Sequence, residues 1–227
     1  MDWPGYALAD LVPFSRETWF ALVAGYNREH LPAVGAGLGV GVLLLWLTAR
    51  PECRRPRVAL ALLGLCWVWI GWAFLHRELG ALLWAADWLA WGFAGQGLLM
   101  LAAALQPASD PGRRTGWAAP GWWMLACAVV LLPALARATG GGWSSIGWFG
   151  SAPDATVLGT LGVLTLLPGR SAWLLLPVPV LWCALSAGML YVFGDPRWPL
   201  PLCAAALTML LLARARTLYS RGLCSRL

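Results

Sequence analysis

Few side chains in this sequence are able to do chemistry within an apolar protein. Asp87 is the single carboxylate inside a long apolar segment, and Trp84 and Trp91 flank it at helical spacing. A charge in hydrocarbon costs at least roughly 3 kcal/mol, so Asp87 must face a cavity, a partner or water. Two interpretations stay open: a protonatable or ligand-binding carboxylate in an aromatic pocket, or a boundary residue that pairs with Arg77 or Arg137.

Gln96 and His76 are the other polar candidates in apolar surroundings. Gln96 lies about 900° of helical rotation beyond Asp87, so the two side chains face opposite sides of one helix. We expect Gln96 to bond a neighbouring helix, as buried amides do in membranes. His76 follows Trp69 and Trp72 on one helical stripe. Tight packing would explain these tryptophans, and so would a hydrophobic ligand such as a quinone, a pigment or a lipid.

Asp154 stands at the start of a short apolar segment, after the Gly- and Pro-interrupted stretch 147–153. Such a break leaves N–H groups free at the helix start, where they can meet an anion. A simpler role for Asp154 is to cap that helix. The two histidines, His30 and His76, have no carboxylate or cysteine at ligand spacing, so we expect no metal site and assign no catalytic residue. A single axial histidine to a haem or pigment stays open.

The composition indicates a membrane protein rather than a soluble domain. Of the 227 residues, 60% are hydrophobic and 11% are charged, whereas soluble domains have roughly 25% charged residues. The apolar runs approach the length of about 20 residues that crosses a hydrocarbon core of about 30 Å. We predict an all-α, polytopic transmembrane helix bundle with seven segments, at about 32–48, 57–75, 82–105, 117–136, 155–168, 171–193 and 198–213.

These segments divide the chain into three regions. Residues 1–31 form an N-terminal segment with an interfacial helix that starts at Ser15, 32–213 form the transmembrane bundle, and 214–227 form a cytoplasmic, arginine-rich tail. Segment five, at about 14 residues and roughly 21 Å, is shorter than the hydrocarbon core. Either the helix begins upstream, near Ile146, with Pro153 as a kink, or the segment is a re-entrant loop. A re-entrant loop would place the arginine-rich C-terminus outside, which the distribution of arginines opposes, so we predict seven spans.

Arginines orient the bundle, because cytoplasmic loops are enriched in basic residues. With the N-terminus outside, the outer side holds only Arg16, Arg28, Arg77, Arg137 and Arg197. The inner side then holds Arg50, Arg54, Arg55, Arg57, Arg113, Arg114, Arg170, Arg214, Arg216, Arg221 and Arg226. The C-terminus is therefore predicted to be cytoplasmic, in a bacterial inner membrane.

Several known membrane chemistries are excluded by what the sequence lacks. It has no lysine, so no retinal Schiff base can form. It contains no Gly-x-Ser-x-Gly motif, no His-Glu-x-x-His helix and no P-loop. Acyl transfer through a serine elbow, zinc proteolysis and ATP hydrolysis are therefore not expected.

A family resemblance comes from several separate features. They are Tyr26-Asn27 before the first span, a Trp-rich second span that ends at His76, Gln96 in the third span, and the pattern Phe149-Gly150-x-Ala152-Pro153-x-x-Thr156-x-Leu158-x-Thr160-Leu161-Gly162. Together they resemble a bacterial multi-pass family, domain of unknown function 6064. The resemblance covers most of the chain and implies a polytopic fold without an activity. The family pattern places Cys-Pro where this chain has Asp154-Ala155, so the resemblance assigns no role to that pair.

We therefore expect a non-enzymatic membrane subunit or scaffold that packs against protein partners, a lipid or a hydrophobic cofactor. The lipid bilayer is its expected surrounding, other membrane subunits are possible partners, and no nucleic acid is expected. The alternative is a transporter or channel for a small solute. An enzyme acting on lipid ranks last, because no nucleophile and base can be paired from the sequence.

Overall fold

The computed structural model describes residues 12–49, 55–106, 118–138, 142–167 and 170–224. Within these ranges all regular structure is helical, which confirms the all-α class. Two segments are π-helical, Ile70–Glu78 and Cys127–Leu131, and 3-10 turns cover Leu79–Ala81 and Trp143–Ser145. The α-helices are α1 (Arg16–Glu29), α2 (Leu31–Ala49), α3 (Arg55–Trp69), α4 (Ala86–Leu105), α5 (Ala118–Ala126), α6 (Leu132–Ala138), α7 (Pro153–Leu164), α8 (Arg170–Leu174), α9 (Pro177–Val192) and α10 (Pro199–Cys224).

Five helical stretches are long and apolar enough to cross a membrane. They coincide with predicted segments one, two, three, four and seven. Segments five and six correspond to shorter helices, α7 and the pair α8 and α9. In the described residues the structure therefore supports five spans where the sequence predicts seven. The five stretches are Leu31–Ala49, Pro56–Ala81, Ala86–Leu105, Ala119–Ala138 and Pro199–Thr217.

Segment five begins at Pro153, so the predicted start near Ile146 is wrong. Proline suits the first helical position because its missing N–H would have no partner there. The 12 residues of α7 extend over about 18 Å. Every residue of α7 except Asp154 and Leu158 is buried. Helices α3, α5, α9 and α10 all pack against it, so α7 is the central element of the fold.

Segment six is broken into α8 and α9, where the sequence predicts one helix. Pro177 and Pro179 lack the N–H groups that would bond the carbonyls four residues earlier. The carbonyl of Leu175 thereby loses its helical donor at Pro179. Leu176 keeps its own, since the Val180 N–H donates to it at 3.1 Å.

Glycines allow close backbone contacts between helices of the bundle. Gly150 has φ +78°, and a Cβ there would lie 2.5 Å from the Cα of Gly37 in α2. The stretch before α7 therefore touches α2 directly. In the same way Gly64 of α3 meets Gly97 of α4, where a Cβ on Gly97 would lie 2.6 Å from the Gly64 carbonyl oxygen. Small residues allow helices to approach this closely.

Candidate functional site

His76 and Asp87 form a pair at one end of the bundle. The Nδ1 of His76 lies 2.7 Å from Oδ1 of Asp87, and both side chains are 57% exposed. The expectation that Asp87 pairs with Arg77 or Arg137 is wrong. Arg77 instead lies 5.3 Å over the Trp72 ring, and Arg137 packs over another tryptophan. Asp87 is in the first turn of α4, where a carboxylate is favoured by the helix dipole.

The expected aromatic pocket around Asp87 is not enclosed. Trp84 lies in the turn before α4 begins at Ala86, so the helical spacing assumed for it does not apply. Trp84 is 82% exposed and Trp91 is 76% exposed. Both indoles are therefore largely exposed rather than packed around Asp87, whose hydrogen-bond partner is His76.

Trp69 reaches back to α1. Its Nε1 donates to the hydroxyl of Tyr26 at 2.9 Å, which satisfies the indole N–H as its mid-span position requires. The ring of Trp72 lies 5.6 Å from that of Trp69, but His76 turns to α4 instead of extending this stripe. The reason is the π-helical segment Ile70–Glu78, whose wider turns shift each side chain away from its α-helical direction.

Tyr26 is the centre of an aromatic cluster beside the π-helix. Its ring stacks on His30 at 4.7 Å and meets Phe74 edge-on at 5.2 Å. Burial raises the pKa of Tyr26 to about 12, so the phenol stays protonated at neutral pH. The cluster fixes the ring of His30 as well, because its Nδ1 lies 3.2 Å from the Tyr26 carbonyl oxygen.

His30 has carboxylate neighbours, contrary to the expectation from the sequence. Ligand atoms of Glu29, His30 and Glu78 all lie within 4.8 Å of one another. Glu29 adjoins His30 in the chain, but Glu78 is brought across by the π-helical segment, whose last residue it is. His76 likewise gains Asp87. The statement that both histidines lack nearby carboxylates is therefore wrong.

Gln96 bonds another helix, as its type and position predict. Its Nε2 donates to the carbonyl oxygen of Leu175 at 2.7 Å, and the side chain is buried. This is the carbonyl that Pro179 leaves without a helical donor. Gln96 thus compensates the break between α8 and α9, and it faces the opposite side of α4 from Asp87.

Asp154 does not cap α7, which corrects the simpler of its two predicted roles. The capping position is Ala152, in an extended conformation without a side-chain cap. Asp154 follows in the first turn, where its Oδ1 accepts the Trp182 Nε1–H at 2.8 Å. The hydroxyl of Ser186 faces the same carboxylate without a bond of standard geometry. The carboxylate of Asp154 thus occupies the N-terminal end of α7, which is where the helix dipole would otherwise favour a bound anion.

A crevice of about 90 Å³ opens between α4 and α9 beside this carboxylate. Its walls are almost entirely apolar. The ring of Trp182 separates it from Asp154, and Phe93 meets that ring edge-on at 5.0 Å. The residues that shape it are Trp88, Gly92 and Phe93 of α4 and Leu181, Trp182 and Leu185 of α9.

The stretch Phe149–Gly162 is held by hydroxyl groups rather than exposed for binding. Thr156 Oγ1 accepts the Gly150 N–H at 2.8 Å and donates to the Ala152 carbonyl at 2.8 Å. One turn later, Thr160 Oγ1 accepts the Trp67 Nε1–H at 2.9 Å and donates to the Thr156 carbonyl. These threonines join α7 to α3 and to its own preceding loop.

Asn27 anchors the same loop from α1. Its Nδ2 donates to the carbonyls of Ser144 and Ile146 at 2.7 and 2.8 Å. In the sequence, Asn27 contributes to the family resemblance and has no predicted role of its own. The signal that could have found it is a polar residue one position beyond Tyr26 on the apolar face of α1, which must meet a partner when buried.

An ionic cluster closes the turn between α9 and α10. Arg197 donates to both carboxylate oxygens of Asp195, through Nε at 2.8 Å and Nη2 at 2.6 Å. Arg16 of α1 approaches the same carboxylate at 3.8 Å. The hydrogen bonds from Arg197 lower the pKa of Asp195 to about 2.

This pKa gives a pH-dependent prediction for Asp195→Asn. Because the folded pKa is depressed, the stabilisation is complete above the ordinary value near 3.8 and is lost as pH falls through about 2. We expect the variant to be less stable than the natural chain by about 1 kcal/mol at pH 7, discounted for the partial exposure of both arginines. Thermal unfolding between pH 7 and pH 2 measures it. Asp87→Asn, at an exposed pair, is the control; an equal, pH-independent loss in both variants would contradict the assignment.

In the described residues the protein is all-helical, with five long apolar helical stretches and the short, buried helix α7. The ion pairs of His76 with Asp87 and of Arg197 with Asp195 lie near the ends of helices. The chain belongs to DUF6064, a family of unknown function, whose match covers residues 16–222. This confirms the family resemblance seen in the sequence. Neither the curated proteins nor the solved structures contain a match to this chain.

Proposed function

We propose that this chain is a multi-pass protein of the bacterial inner membrane, with seven spans, the N-terminus outside and the arginine-rich C-terminus in the cytoplasm. The five apolar stretches support the membrane assignment. Helices α8 and α9 supply a sixth crossing with a proline break, and α7 supplies a seventh that other helices shield from lipid. Irregular or short elements are tolerated at membrane depth when protein surrounds them.

Within that membrane we assign the protein a non-enzymatic role, as a subunit that holds an apolar molecule. The observation that carries this role is the apolar crevice between α4 and α9, which Trp88 and Trp182 both line. The crevice is narrow and its walls are almost entirely apolar, whereas an α-helix with its side chains is about 10 Å wide. A lipid acyl chain or the apolar tail of a cofactor suits it better.

Solute transport remains the second candidate because of Asp154. Transporters place binding groups at the ends of short or broken helices near the membrane centre, and α7 and the break before α9 have this form. Against transport, three of the polar side chains near α7 already have a hydrogen-bond partner within the protein. Asp154 accepts a hydrogen bond from the indole N–H of Trp182, and Thr160 accepts one from the indole N–H of Trp67. The side-chain amide of Gln96 donates to the carbonyl oxygen of Leu175.

The test fills the crevice without disturbing the helices. A Cβ at Gly92 would meet nothing within 4 Å, and the same is true of Gly95 on the same helix. Gly92 lines the crevice and Gly95 does not. Gly92→Leu, Gly95→Leu and the natural chain are extracted into native nanodiscs, and the retained lipids and cofactors are identified by mass spectrometry.

We expect one apolar species to be enriched with the natural chain and with Gly95→Leu. Gly92→Leu should lose it by about tenfold or more, equivalent to roughly 1.4 kcal/mol. Equal retention by both variants would refute the role of the crevice. Solute flux above that of empty vesicles, after reconstitution of the natural chain, would favour transport instead.

A further inference from the structure

We propose that Glu29, His30 and Glu78 form a binding site for a divalent first-row transition metal ion, at the end of the bundle where α1 and the π-helical segment meet. This site is separate from the crevice between α4 and α9, and it does not depend on what the crevice holds.

The fold itself assembles the three ligands. Glu29 is the last residue of α1 and His30 follows it directly. Glu78 is the last residue of the π-helical segment. The trio therefore joins two elements that are almost 50 positions apart in the chain, and its ligand atoms lie within 4.8 Å of one another.

The imidazole of His30 is oriented as a metal ligand usually is. Its Nδ1 lies 3.2 Å from the carbonyl oxygen of Tyr26 and, as the donor of that bond, leaves the lone pair of Nε2 free. Histidines that bind metals commonly donate their second ring N–H to a backbone carbonyl in this way. Tyr26 stacks on one face of the ring and Trp69 meets it edge-on at 5.8 Å, so the ring is held in place.

The charges of the site call for a cation. Glu29 and Glu78 form no ion pair with any residue that the structure describes, whereas Asp87 and Asp195 each have a basic partner. Two close carboxylates repel each other unless a positive charge lies between them. A divalent ion would neutralise both and leave the site uncharged.

The ligand types select the class of metal. One imidazole nitrogen and two carboxylate oxygens suit Zn²⁺ and similar ions, while Ca²⁺ prefers six or more oxygens. Tetrahedral bonds of about 2.0–2.2 Å place ligand atoms about 3.4 Å apart. The distances between the ligand atoms must therefore shorten by at most about 1.4 Å, and the exposed side chain of Glu29 can move most readily.

Zn²⁺ titration of the full chain tests the site directly. The protein is purified in detergent, stripped with a chelator and titrated by calorimetry with Zn²⁺ and, separately, with Ca²⁺. We expect one Zn²⁺ per chain and much weaker binding of Ca²⁺. Each of Glu29→Gln, His30→Gln and Glu78→Gln should weaken the affinity for Zn²⁺ by about tenfold or more.

His76→Gln is the matched control, because His76 is the other histidine with a carboxylate beside it. It should leave Zn²⁺ binding unchanged. Glu29→Gln alters an exposed side chain and so keeps the test valid if the other variants fail to fold, which circular dichroism and gel filtration report. Absence of Zn²⁺ binding to the folded natural chain, loss of it in His76→Gln, or unchanged affinity in Glu29→Gln and Glu78→Gln would each overturn the proposal. Equal affinity for Ca²⁺ would overturn the class of metal.

Discussion

Gly150→Ala is expected to destabilise the protein by about 3 kcal/mol or more, a large effect for a single methyl group. Two costs add. The backbone of Gly150 has φ +78°, a conformation that costs other residues roughly 1–3 kcal/mol. The new Cβ would also lie 2.5 Å from the Cα of Gly37, and a backbone atom cannot rotate away as a side chain can.

The reciprocal change, Gly37→Ala, should be severe for the same contact. Its Cβ would lie 2.6 Å from the Phe149 carbonyl oxygen. Helix α2 offers two matched controls, Gly35→Ala and Gly39→Ala, where a Cβ meets nothing within 4 Å. Both should be neutral or slightly stabilising, since alanine favours the helix by up to about 1 kcal/mol. Thermal unfolding in detergent measures all four variants, and similar midpoints for Gly37→Ala and Gly35→Ala would refute the contact.

Trp67→Ala is expected to cost about 3–5 kcal/mol, the usual range for removing a large buried aromatic side chain. Trp67 is fully buried, its ring lies 4.3 Å from that of Phe93, and its N–H donates to Thr160. The single side chain therefore joins α3 to both α4 and α7. Trp72→Ala is the control on the same helical stretch; at 49% exposure it should cost less than about 1 kcal/mol.

A double-mutant cycle separates the hydrogen bond of Trp67 from its volume. Trp67→Phe keeps an aromatic ring and removes the N–H, and Thr160→Val keeps the shape and removes the acceptor. A coupling of about 1 kcal/mol between the two changes is expected for a buried bond. Additive effects would show that packing alone accounts for the role of Trp67.

Hydropathy predicts the positions of the long helices, but it does not predict where a helix breaks or which side chains meet. The five long helices follow from apolar runs of near-spanning length. The opposite orientations of Asp87 and Gln96 follow from helical periodicity alone. Pro177 and Pro179 indicate a possible break between α8 and α9, but the apolar residues on both sides of them favour a single helix in a prediction from hydropathy.

The candidate sites depended on features that no local pattern records. The π-helical segment moves His76 to Asp87 and Glu78 to His30, and its wider turns have no clear signature in the sequence. Asp154 has the residue type of an N-cap, yet the helix begins at Pro153 and its cap is Ala152, two positions earlier. Its carboxylate was then free to bond Trp182 of α9, a tertiary contact that outweighs local preference.

The enclosure of α7 has a consequence for how the protein is made. A helix that leaves the translocon alone must be apolar enough to partition into lipid by itself. In the proposed seven-span topology α7 is covered by its neighbours, α9 and α10 among them, so Thr156, Thr160 and its glycines do not face lipid in the folded protein. During synthesis, however, α7 emerges before its cover exists. In that topology the stable placement of α7 would await α9 and α10, so residues 177–224 would be required for assembly of the centre.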